Sequence, residues 1–119
     1  MKTFLSILLL SFLSFDVSED IITALKFGKY QDLYKFFDEK VIVRILDKED
    51  LLSKEQCSAN LSVFFEKNPI RNFTLIQSTQ LSANAHFIYG TIDAGNNKYK
   101  VSILIKKSYI VQLRIDYFE

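Results

Sequence analysis

Tryptophan is absent from this sequence, and cysteine, histidine and proline occur once each. A single cysteine excludes an intrachain disulfide framework and any Cys-rich zinc site. A single histidine excludes a His–His metal site and every motif built on two histidines. The three glycines are too few and too scattered for a dinucleotide fingerprint, a phosphate loop or a nucleophile elbow. Net charge is missing too. Fifteen Lys and Arg against fourteen Asp and Glu give +1, which argues against a dedicated polyanion binder. These absences remove several kinds of chemistry and propose none.

What is present is a chain of 119 residues, 49% apolar, in the size range of one globular domain. At its start, Lys2 precedes an apolar stretch from Phe4 to Phe15 broken only by serines. One early lysine and about twelve apolar residues fit a secretory signal peptide, and the run is too short to span a bilayer. The expected division is a signal peptide over residues 1–15 and a single domain over 16–119. That implies export to the periplasm or the medium, with membrane contact only during export. Cys57 is then an odd thiol, explained as a small buried side chain in an apolar helical stripe.

Beyond the leader the pattern reads helices first and strands last. Asp16 with Glu19 forms a capping pair for a helix whose stripe is Val17, Ile21, Ala24 and Leu25, closed by Gly28. A second short helix is expected from Gln31 to Asp38, burying Leu33, Phe36 and Phe37. Val41 to Leu46 is a β-branched run that folds back through Asp47–Asp50 onto Leu51 and Leu52. Ser53-Lys-Glu-Gln56 is a capping box, and Cys57, Leu61, Phe64 and Phe65 follow at helical spacing until Asn68-Pro69 stops the helix. Four strands should follow, at Phe73–Ser78, at Ala85–Ile92, and in a final hairpin turning near Lys107-Ser108. In that hairpin Tyr99, Val101, Ile103 and Ile105 alternate with polar residues, as do Tyr109, Val111, Leu113, Ile115 and Tyr117.

This order predicts an α+β fold, an antiparallel sheet with the helices packed on one face. Strong curvature would make it a cone. Particular residues sharpen this: Asp20-Ile-Ile-Thr-Ala-Leu25 with Gly28, Phe36-Phe37-Asp38, Ser53-Lys54, Phe64-Phe65-Glu66-Lys67-Asn68-Pro69 with Phe73, Tyr89-Gly90-Thr91, and Val111-Gln-Leu-Arg-Ile-Asp116. In that order they resemble the DUF4783 family, small exported proteins of Bacteroidota, over about residues 18–117. One departure is Ile88-Tyr89, where a smaller residue is expected before the glycine. The resemblance implies a nuclear transport factor 2-like cone, a strongly curved antiparallel sheet with N-terminal helices on its concave face, and an envelope location. It carries no catalytic residues to transfer.

A cone with an apolar interior suits a ligand, and some members of the wider superfamily are isomerases or dehydratases. Such enzymes need an ionisable base inside the cone. The apolar face of the last two strands offers Val101, Ile103, Ile105, Val111, Leu113 and Ile115, with no Asp, Glu or His. His86, on the face of Ile88 and Gly90, has no carboxylate nearby in sequence to fix its tautomer. Lys98, Lys100, Lys106 and Lys107 form a basic cluster, but alternation sends Tyr99 to the opposite face, so no nucleic-acid stacking platform is expected. Tyr34, Tyr89, Tyr99 and Tyr117 are the candidate cavity rim. Leu104, Ile110 and Arg114 are the candidate contacts of a homodimer formed through the open sheet face. The expectation is an exported, non-catalytic protein, without metal or cofactor, that binds a small apolar ligand or a protein partner. The alternatives are a cone-fold isomerase or hydro-lyase, and a purely dimerising interaction module.

Overall fold

The structure, a computed structural model, describes residues 17–119. The leader expected over 1–15 and the Asp16 cap lie outside them. Helix α1 (Val17–Lys26) buries Val17, Ile21, Ala24 and Leu25, the expected stripe. It ends where Gly28 adopts φ +70, while the Lys29 amide donates to the Ala24 carbonyl at 2.8 Å. That left-handed step satisfies a carbonyl the helix leaves open, and glycine takes it without a Cβ penalty.

The second helix differs from expectation in kind and length. Tyr30–Phe36 is a 3-10 helix, and Phe37 and Asp38 already belong to strand β1 (Phe37–Ile45). Three residues per turn place Leu33 and Phe36 on one buried side, a spacing that a short 3-10 segment serves without a full α-helical turn. Strand β2 (Lys48–Ser53) folds back on β1 and runs directly into helix α2 (Lys54–Lys67). The capping box is formed at both ends. The Gln56 amide donates to Ser53 Oγ at 3.2 Å, and the Ser53 amide donates to Gln56 Oε1 at 3.0 Å. All four stripe residues, Cys57, Leu61, Phe64 and Phe65, are buried.

Strands β3 (Ile70–Ser82), β4 (Ala85–Ala94), β5 (Asn97–Lys106) and β6 (Tyr109–Tyr117) complete one six-stranded sheet of order β2-β1-β6-β5-β4-β3. Every junction is antiparallel except that between β1 and β6, which is parallel. The sheet curves without closing. Its curvature comes from register shifts: three along β3, one between β5 and β6, and one between β1 and β6. Each extra residue bends its strand and increases the local twist. The β5–β6 turn matches expectation, with Lys107 at φ 51 and Ser108 at φ 70, the two positive angles of a type I′ hairpin.

The concave face carries the core. Val41 and Val43 of β1, Ile88 and Ile92 of β4, Val101, Ile103 and Ile105 of β5, and Ile110, Leu113 and Ile115 of β6 meet the helices there. Aromatic rings fill the space between. Phe64 meets Tyr99 edge-on at 5.2 Å, and Phe65 lies 5.1 Å from both Phe64 and Tyr30. Gly90 admits the Phe73 ring: a Cβ there would stand 2.8 and 2.9 Å from two ring carbons.

One pattern in the final hairpin needs correcting. Leu104 faces Gln112 while Ile105 faces Ile110, so Val111 is the extra residue of a bulge. The bulge reverses the alternation. Ile110 turns into the core at 0% exposure, and Val111 leaves the apolar face on which it was expected.

Candidate functional site

The hairpin β1–β2 leans over helix α2 and leaves a cleft of about 280 Å³ between them. Strand alternation puts Val43 and Ile45 of β1, and Lys48, Asp50 and Leu52 of β2, on its sheet side. Helical spacing puts Asn60, Val63, Phe64, Lys67 and Asn68 on the other. The floor is therefore aliphatic and aromatic, and the mouth carries two ammonium groups and one carboxylate. Asn68 is held in place, its Nδ2 donating to the Phe64 carbonyl at 3.0 Å. Neither Lys48 nor Lys67 has an ion-pair partner among the described residues. An apolar pocket rimmed by a few polar groups is the usual architecture of a small-molecule site, and this one lies at the small end of the range.

His86 lies at the other end of the concave face, beside a second cleft of about 220 Å³ lined by Val17, Ser18, Gln80, Asn84, Lys107 and Ser108 among others. Its Nδ1 is 3.0 Å from Gln80 Oε1, and its Nε2 is 2.7 Å from Ser78 Oγ. The Gln80 amide nitrogen donates to the Ser82 carbonyl, so its oxygen is the atom turned towards His86. Nδ1 is then the donor to Gln80, and Nε2 shares a hydrogen bond with the Ser78 hydroxyl. An amide stands where an imidazole base would keep a carboxylate to stabilise its charged form. Among the described residues, no group of three or more His, Cys, Asp or Glu could hold a metal ion. Burial pushes the Cys57 thiol up to about 12, so it stays protonated at neutral pH.

A family model described as a domain of unknown function, DUF4783, matches residues 18–116. The chain belongs to this family. Among solved structures, a DUF4783 protein from Bacteroides uniformis superposes with a TM-score of 0.81 at 25% identity, covering 87% of this chain and 99% of its own. A DUF4783 protein from Bacteroides ovatus gives 0.77 at 28% identity, covering 83% and 93%. An NTF-2 like protein of unknown function from Burkholderia xenovorans shares the fold alone, with a TM-score of 0.60 at 12% identity over 82% of this chain and 79% of that one. No curated protein matches the chain. The cone anticipated from the sequence is thus the fold of the DUF4783 family.

Within this DUF4783 cone the four tyrosines do not form one rim: Tyr99 and Tyr117 stand opposite each other on β5 and β6, Tyr34 and Tyr89 lie elsewhere, and none of the four lines either cleft. Tyr34 sits on the 3-10 helix with its hydroxyl donating to Glu55 Oε2 at 2.9 Å, and Lys54 Nζ lies 5.6 Å from its ring centroid. That hydrogen bond, and then burial and charge, raise the Tyr34 pKa, and the same bond lowers that of Glu55. Tyr99 is a core residue against Phe64. Tyr117 is exposed at the end of β6, its hydroxyl 3.4 Å from Asp47 Oδ2, whose charge raises the Tyr117 pKa. Tyr89 pairs with Ser102 on the opposite, open face.

The proposed interface residues also separate. Leu104 is on the open face, paired with Phe87 and Gln112. Ile110 is not; the bulge buries it. Arg114 is on the open face but already has a partner in its own chain, Glu49 at 3.6 Å. Beside it Arg44 makes a two-pronged contact with Asp116, at 2.9 and 3.3 Å, which raises the guanidinium pKa. Lys98 and Lys100 alternate with the buried Tyr99, and Lys98 lies 5.5 Å from the centroid of the exposed Phe118 ring.

The cleft residues were missed in the sequence. Val63 is an apolar residue off the α2 stripe and 58% exposed, flanked along the same face by Asn60 and Lys67. Singly exposed aliphatics are common on protein surfaces, so this residue did not mark a cleft.

Proposed function

We propose that this DUF4783 protein is an exported, non-catalytic binding protein that holds a small apolar ligand in the cleft between the β1–β2 hairpin and α2. The observation that carries the reading is the composition of that cleft, in which Val43, Ile45, Leu52, Val63 and Phe64 form the walls. Apolar surface left open in this way is stabilised by any apolar molecule that displaces water from it, at about 25 cal/mol per Å². Non-catalysis rests on the two candidate sites together. The cleft places no histidine against its walls, and His86 is held between a serine and an amide, not by a carboxylate. Export rests on Lys2 and the apolar run Phe4–Phe15. Native mass spectrometry of protein purified from its own host tests the reading. A retained small molecule that is lost in Val63→Trp, which fills the cleft, supports it. Retention unaffected by Val63→Trp overturns the site. Protein that carries no ligand and binds no apolar probe in vitro overturns the function.

Self-association through the open face is a second reading, favoured by one observation. Phe87, Leu104, Ile42 and Leu51 lie in a single cross-strand row, interrupted by Gln112, on the face turned away from the helices. Ile42 and Leu51 are exposed at 41% and 65%. Light scattering should then give a dimer at high micromolar concentration, and Leu104→Glu should give a folded monomer. A wild-type monomer, or a dimer indifferent to the charge, sinks this reading.

A further inference from the structure

The cleft mouth is charged as well as polar. Lys48 stands at the first position of β2 and Lys67 in the last turn of α2, so the two lysines line the cleft from opposite walls. Asp50 is the one carboxylate among the lining residues, which leaves the mouth with one positive charge in excess (two ammoniums less one carboxylate). Neither lysine is paired within the described chain. On the opposite face of the same hairpin Arg44 pairs with Asp116 and Glu49, and Glu49 pairs also with Arg114 of β6. That excess at the mouth equals the net charge of the whole molecule, +1.

Size narrows the ligand further. At about 280 Å³ the cleft lies just below the range of about 300–1,000 Å³ for drug-sized pockets, which suits a ligand of medium-chain size. We infer that the cleft takes a medium-chain alkyl monocarboxylate, its chain against Val43, Ile45, Leu52, Val63 and Phe64 and its carboxylate between Lys48 and Lys67. This rests on the cleft being a ligand site, as proposed above, and adds the charge and size of the occupant. A carboxylate between two ammonium groups forms charge-assisted hydrogen bonds that an alcohol of the same length cannot match.

Octanoate and 1-octanol separate the two ideas, because both carry the same chain and only one carries charge. Titration calorimetry on the wild-type protein at neutral pH should show octanoate binding about twofold to thirtyfold more tightly than octanol, the combined range of two exposed ion pairs. Lys48→Gln combined with Lys67→Gln should bring octanoate down to the octanol affinity and leave octanol unchanged. Asp50→Asn should strengthen octanoate alone. Raising the salt concentration should weaken octanoate and spare octanol. Equal affinities in the wild type overturn the inference and leave the apolar site standing. Binding of neither compound overturns both. The comparison in the wild type needs no substitution, so it stands even if a lysine variant folds poorly.

Discussion

Phe64 is where the core and the cleft meet, and its truncation tests both. The side chain is 8% exposed and meets Phe65 and Tyr99 edge-on, at 5.1 and 5.2 Å with interplanar angles of 76° and 72°. Removing a buried phenyl ring costs about 3–5 kcal/mol, of which each edge-to-face contact supplies about 0.5–1.5 beyond area burial. Phe64 also lines the cleft, so part of the vacated space opens to water and is not left as a sealed void. Phe64→Ala should therefore fall near the lower end, about 3 kcal/mol. With a urea m-value of about 1–3 kcal/mol/M, the unfolding midpoint should drop by about 1–3 M. Lys67→Ala, on the same helix but exposed, should change stability by about 0.5 kcal/mol or less. Circular dichroism through a urea series gives both numbers. A loss below about 1 kcal/mol for Phe64→Ala, or equal midpoints for the two variants, would refute the placement of this ring in the core.

Two further substitutions and one sequencing experiment have definite outcomes. Gly90→Ala would drive a methyl into the Phe73 ring and the Thr74 carbonyl; the ring can turn but the strand backbone cannot, so a cost of about 1–3 kcal/mol is expected. An unchanged melting temperature would show that β3 and β4 are not so close. Tyr34→Phe removes the hydrogen bond that lowers the Glu55 pKa, so the Glu55 titration followed by carboxyl NMR should move up towards the ordinary carboxylate value. The sign follows from the depressed folded value: the contribution is present above the unfolded pKa and is lost as pH falls through the folded one. An unmoved Glu55 midpoint in Tyr34→Phe would show that the bond does not form in solution. Finally, N-terminal sequencing of exported protein should begin between about residues 12 and 20, whereas an intact Met1 on folded exported protein would contradict removal of a leader.

Features set by neighbours along the chain were legible in the sequence, and those set by neighbours in space were not. The Ser53–Gln56 box and the stripe of Cys57, Leu61, Phe64 and Phe65 involve residues within one helix, and they appear as read. So does the turn at Lys107-Ser108, because two left-handed residues between alternating strands leave few other ways to return. Gln31–Asp38 reads as an α-helix by its apolar spacing, yet Phe37 is claimed by pairing opposite Ile110, which shortens the segment and tightens it to 3-10. Ile110 itself illustrates the limit. Strict alternation sends it outward, and only the register of β6 against Leu104 and Ile105 reveals the bulge that turns it inward. The tyrosines were grouped by chemistry, whereas only Tyr99 and Tyr117 are neighbours, across β5 and β6. The cleft was invisible for the same reason, since β2 and α2 are consecutive in sequence but face each other only after β1 has set the hairpin's tilt.

Methyl-resolved NMR of the protein titrated with 1-octanol reports where an uncharged apolar chain settles. Val43, Ile45, Leu52 and Val63 are distributed over both walls of the cleft and supply the reporter methyls. Saturable shifts are expected at these four residues together, with the open-face methyls of Leu104 and Leu51 unmoved. Shifts confined to the open face, or no saturable shift at any of the four, would contradict it.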